Sequence, residues 1–106
     1  MVASVVMQHR DEIVRVLERH GARRARIFGS CARGEPGRGS DLDVLVVMDE
    51  DRSLLDRIGA AQELEDLLGM RVDLVNERAL HPMLRERVLA EAVALDALRE
   101  MLAGEA

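Results

Sequence analysis

Residues Gly29–Val46 read G-S-C-A-R-G-E-P-G-R-G-S-D-L-D-V-L-V, and the run closes as D-L-D-V-L-V-V-M over Asp41–Met48. Asp41–Met48 is β-branched and apolar after its first three residues, which predicts a strand. Side chains alternate along a strand, so Asp41, Asp43, Leu45 and Val47 share one face and Leu42, Val44, Val46 and Met48 the other. Both faces become apolar toward the end. That pattern suits a central strand whose polar beginning lies at a site. Before it, Cys31–Ser40 carries Gly34, Pro36, Gly37 and Gly39, which predicts a brief helical turn and a loop.

Working outward, Arg24–Phe28 reads as a short strand that ends at Gly29-Ser30. Upstream, Ser4 can cap a first helix with Val6, Ile13, Leu17 and His20 on one face and Gly21 as its stop. Downstream, Asp51 or Ser53 caps a long helix, with Leu54, Ile58, Ala61, Leu64 and Leu68 at helical spacing and Gly69 at its end. Arg71–Asn76 is a third strand, with Asp73 and Val75 on one face. Pro82 suits the first turn of a final helix, whose expected buried stripe is Leu84, Val88, Ala92, Leu95 and Leu102. The order α-β-short α-β-α-β-α implies an α/β (α+β) fold, a small mixed sheet packed with helices. Residues 1–106 are expected to form a single domain, since 106 residues leave room for one modest core.

The pattern Gly-Ser, ten residues, Asp-x-Asp has a chemical use at each point. Gly29 lets a backbone approach a phosphate closely, and Ser30 offers a hydroxyl donor. Asp41 and Asp43 project from one strand face as paired oxygen ligands for Mg²⁺. Asp73 can add a third carboxylate from a neighbouring strand. Three carboxylates around two metal ions are the equipment of in-line phosphoryl or nucleotidyl transfer. Arg23, Arg24, Arg26, Arg33 and Arg38 concentrate positive charge around the motif, and Arg33 is the one best placed to meet a phosphate. Cys31 reads as a small, partly buried hydrophobe.

Composition narrows the alternatives. The net charge of −5 disfavours long nucleic acid as the main partner. Phe28 is the only aromatic residue, so a base-stacking platform is excluded. A lone cysteine points to a reducing, cytoplasmic setting, and no apolar run is long enough to span a membrane. The chain has no Tyr and no Thr, and its serines are Ser4, Ser30, Ser40 and Ser53. Two of these lie within the motif, so a hydroxyl acceptor is expected on another molecule.

Gly29-Ser30-Cys31-Ala32-Arg33-Gly34, followed by Ser40-Asp41-Leu42-Asp43-Val44-Leu45-Val46, resembles the signature of the DNA polymerase beta-type nucleotidyltransferase superfamily. The short chain and the Ala-Arg-Gly after Gly-Ser look most like its minimal nucleotidyltransferases, the MntA-type antitoxins. The resemblance implies that Gly29 and Ser30 hold the triphosphate, with Arg33, three residues beyond Ser30, the further candidate for nucleotide binding. It also implies catalysis and metal binding by Asp41, Asp43 and Asp73, with two Mg²⁺ ions. The implied reaction moves AMP from ATP to a tyrosine of a HEPN-type RNase toxin, which would be the partner in a hetero-oligomer. Two other readings stay open: an antitoxin that neutralises its toxin by binding alone, and the catalytic subunit of a small-molecule nucleotidyltransferase.

Overall fold

A computed structural model describes residues 2–29 and 42–97. Its elements are α1 (Val2–Gln8), α2 (Arg10–Arg19), β1 (Ala22–Phe28), β2 (Leu42–Met48), α3 (Leu54–Leu68), β3 (Val72–Asn76), α4 (Pro82–Glu91) and β4 (Val93–Ala94), with 3₁₀ turns at Glu77–Ala79 and Leu95–Ala97. The mixed α/β architecture is the expected one. The strands stand in the order β3-β2-β1-β4, with β2 and β3 parallel and β1 antiparallel to both β2 and β4.

The core follows from the alternation along β2. Leu42, Val44, Val46 and Met48 face the helices and join Ile27, Val72 and Leu74 in one buried layer. From the other side Val6, Ile13, Leu17, Ala60 and Leu64 close on it. The α3 helix opens with the Ser53 N–H donating to the Asp56 carboxylate at 2.9 Å and stops at Gly69, whose φ is 67°. Arg57 of α3 donates to the Leu74 carbonyl at 2.9 Å, and Glu65 accepts from the Val72 N–H at 3.0 Å. These two bonds fasten α3 to β3. Glu63 accepts from His20 at 2.9 Å and from Arg19 at 2.8 Å, joining α3 to the end of α2. The His20 hydrogen bond, with the Arg19 charge, holds the Glu63 carboxyl below its usual range.

Four expectations need correction. The first helix is two helices, bent at His9, whose N–H is shared between the Val5 and Val6 carbonyls at 3.2 Å each. The stripe on α3 is only partly buried: Leu64 and Leu68 are inside with Ala60, whereas Leu54 and Ile58 are 59% and 44% exposed. The β2–β3 face that α3 covers is short, so its first turns overhang. The final helix ends at Glu91, and Val93-Ala94 turns back to pair with Ile27 and Arg26 as a fourth strand. Leu84 is 53% exposed, and no residue of α4 is buried; Leu95, beyond the helix, does reach the core, and Val93 packs against it. The expected short helix within Cys31–Ser40, and Leu102, lie outside the described residues.

The contrast along α3 gives a direct test. Leu64 is fully buried and Leu55 is 77% exposed on the same helix. Leu64→Ala is expected to cost about 2–4 kcal/mol. Leu55→Ala is expected to stay within about 0.5 kcal/mol of the native protein. Urea unfolding of the two variants measures both, and equal losses would contradict this packing.

Candidate active site

The sheet face turned away from the main core carries two ordered rows of side chains. Phe28 of β1 pairs with Asp43 of β2, and Asp43 pairs with Asp73 of β3. Two residues further along, Arg26 pairs with Leu45, and Leu45 with Val75. Since side chains two apart share a face, all six lie on one surface. The first row holds two carboxylates side by side, on strands about 4.8 Å apart. The parallel register follows from α3, the crossover that returns the chain to lie beside β2 in the same direction.

Gly29 is adjusted to this row. Its φ is 73°, and a Cβ built on it would lie 3.2 Å from the Asp43 Cγ and closer still to Oδ2. The sequence suggested that Gly29 makes room for a phosphate. The structure gives Gly29 a second use as well: the place a Cβ would take is filled by the Asp43 carboxylate. The left-handed backbone turns the chain out of β1, and the missing side chain lets Asp43 stand where it does.

Asp73 is exposed, Asp43 is half-buried, and no ion pair between described residues neutralises Asp73. Hard carboxylate oxygens with exposed access suit a divalent cation such as Mg²⁺. Among the described residues no three His, Cys, Asp or Glu side chains gather around one point. Asp43 and Asp73 supply two of the expected carboxylates. Asp41, Ser30 and Arg33, together with Cys31 and Arg38, lie outside the described residues.

The second row contains an arrangement without a sequence signal. Arg26 donates from Nη1 to Glu77 Oε1 at 2.8 Å, and Arg85 of α4 donates to Glu77 Oε2 at 3.3 Å. Glu77 directly follows β3, so the Arg26 side chain crosses the width of β2 to reach it. Leu45, the partner of Arg26 on β2, is 0% exposed although it stands outside the main core cluster. The other arginines near the motif have separate roles. Arg23 pairs with Asp49 at 2.7 Å, and Arg24 holds a positive φ of 55° at the irregularity between Arg23 and Arg26. Glu50 meets Arg78 at 3.4 Å, so the acidic run after β2 forms surface ion pairs.

Comparison with known proteins agrees with this geometry. A family model described as a nucleotidyltransferase domain matches residues 10–95. A Thermococcus cleftensis protein, protein adenylyltransferase MntA, is 41% identical over 92 residues, covering 87% of this chain and 90% of that protein. A Methanocaldococcus jannaschii protein with a provisional assignment as a protein adenylyltransferase is 46% identical over 82 residues, 77% of this chain and 88% of its own length. A solved structure described as a minimal nucleotidyltransferase superposes with a TM-score of 0.78 at 49% identity, covering 88% of this chain and 95% of that one. A toxin–antitoxin crystal structure with AMP-PNP superposes with a TM-score of 0.68 at 28% identity, over 80% of this chain and 70% of its counterpart.

Proposed function

This chain belongs to the nucleotidyltransferase domain family, and on that premise we propose that it transfers AMP from ATP to a hydroxyl group of a partner protein. The observation that carries the reading is the register that sets Asp43 directly against Asp73. The chain's lack of tyrosine and threonine puts the acceptor on another molecule. A tyrosine of a HEPN-type toxin fits the relatives, one of which is a toxin–antitoxin complex holding an ATP analogue. The protein would then be the antitoxin of a pair, a single domain acting in the cytoplasm.

In the reaction the acceptor oxygen bonds to the α-phosphorus of ATP. The bond from that phosphorus to the bridging oxygen breaks, and pyrophosphate leaves. Asp41, Asp43 and Asp73 would hold two Mg²⁺ ions, which when bound supply Lewis acidity to the phosphate oxygens. Asp73, the more exposed of the two described carboxylates, is the one open to the acceptor's proton. Gly29, Ser30 and Arg33 would bind the phosphates, with Gly29 also leaving room for Asp43.

The charge of the first row sets the test. Carboxylates at close range repel a triphosphate unless a divalent cation intervenes. Calorimetry is expected to detect ATP binding with Mg²⁺ and binding at least about tenfold weaker in EDTA, a difference of about 1.4 kcal/mol. Equal affinity in both conditions would count against the metal reading. α-Labelled ATP with the partner protein then separates transfer from neutralisation by binding alone: label on the partner supports the enzyme, and a neutralised but unlabelled partner refutes it.

A further inference from the structure

We infer that Arg26 is a nucleotide-binding residue, a guanidinium that meets a phosphate oxygen of the nucleotide held at the Asp43–Asp73 row. This inference rests on the nucleotidyl-transfer reading of that row. Arg26 pairs with Leu45 one alternation along from the Phe28–Asp43 pair, so it shares the carboxylates' face in the adjacent row. Two residues of strand advance the chain by about 6.8 Å, well within the span of a bound nucleoside triphosphate. Its side chain is 30% exposed, and its one bond among the described residues is the 2.8 Å contact with Glu77. A guanidinium carries five N–H donors, so this contact fixes the side chain while leaving donors for a second oxyanion.

The local charge supports the same assignment. Glu77 is only 13% exposed and receives both Arg26 and Arg85. The group as a whole therefore keeps one unit of positive charge, next to a row of carboxylates. A polyanionic substrate approaching that row needs a fixed cation nearby, and a flexible surface arginine would lose conformational freedom in supplying one. Arg26 has already been ordered by Glu77. Arg85 has not been aimed in the same way: it lies on α4, is 49% exposed, and reaches Glu77 from the far side of the carboxylate at 3.3 Å.

The test uses the full chain and Mg²⁺·AMP-PNP as the probe, with binding measured by calorimetry at two salt concentrations. Arg26→Ala is expected to weaken binding about tenfold. Arg26→Lys keeps the charge without the planar fork and is expected to lose about threefold. Arg85→Ala, which removes an equal charge from the same cluster, is expected to change affinity less than twofold. The salt dependence of binding should be shallower in Arg26→Ala than in the native protein, a change that loosened packing alone would not produce. Thermal unfolding identifies variants that fail to fold; if Arg26→Ala is one, Arg26→Lys carries the test. Native-like affinity and salt dependence in a folded Arg26 variant would overturn this inference alone, as would equal losses in Arg26→Ala and Arg85→Ala. Absence of probe binding to the native protein would overturn the reading of the site together with it.

Discussion

Asp43→Asn is expected to reduce AMP transfer by about a thousandfold while leaving the protein folded. The loss follows from position. Asp43 stands between Phe28 and Asp73 in the first row, and an amide offers a metal ion one neutral oxygen in place of a charged carboxylate. Several kcal/mol of transition-state stabilisation by metal corresponds to about two to three orders of magnitude in rate. The fold should be retained, because asparagine matches aspartate in shape and keeps a hydrogen-bonding oxygen. A large loss of transfer in a protein that stays folded separates chemistry from folding. Transfer of labelled AMP and chemical unfolding measure them side by side, and a variant retaining a tenth of native transfer would remove Asp43 from the reaction.

Gly29→Ala is expected to have the second largest effect, through geometry rather than charge. Alanine at a φ of 73° is strained by about 1–2 kcal/mol, and its methyl group would stand 3.2 Å from the Asp43 Cγ, with Oδ2 nearer. The carboxylate must swing aside or the backbone must shift. Either displaces a group whose placement to within about 0.5 Å matters, and transfer should fall about a hundredfold. Gly69 provides the control, because its φ is 67° and a Cβ there meets nothing within 4 Å. Gly69→Ala carries the backbone strain without the collision. It should destabilise the protein by about 1 kcal/mol and leave transfer near native. If the two variants lose transfer equally, the fit of Gly29 against Asp43 is not what matters.

Much of this architecture is legible in the residues, for reasons that are local. Asp41–Met48 is β-branched with a polar start, and the alternation alone puts Asp43 and Leu45 on one face. Asp73 and Val75 repeat that parity, and a helix between two strands makes a parallel pair, so Asp43 could be set near Asp73 from sequence. What was not legible depends on distance in the chain or on the absence of a neighbour. Glu77 meets Arg26 across 51 positions, and neither residue lies in a motif. The spacing of Leu84 and Val88 is helical and the helix exists, but periodicity could not reveal that Leu84 stays 53% exposed. Val93-Ala94 is too short for a strand signal and sits in a sequence with strong helix formers. The motif shows that a side chain is missing at Gly29 without showing that Asp43 stands where a Cβ would go.

The pairing of Asp43 with Asp73 also determines which length changes this chain can survive. A one-residue insertion or deletion inside Leu42–Met48 turns every following side chain to the opposite face. It would push the Asp43 carboxylate into the apolar layer now filled by Val44 and Val46, and bring Val44 out onto the face that carries Asp73. Chemistry and core therefore share one register, and such a frame error loses both at once. The site cannot decay by slippage while the fold persists. Inactive descendants of this fold should arise by replacement of single carboxylates, at constant strand length.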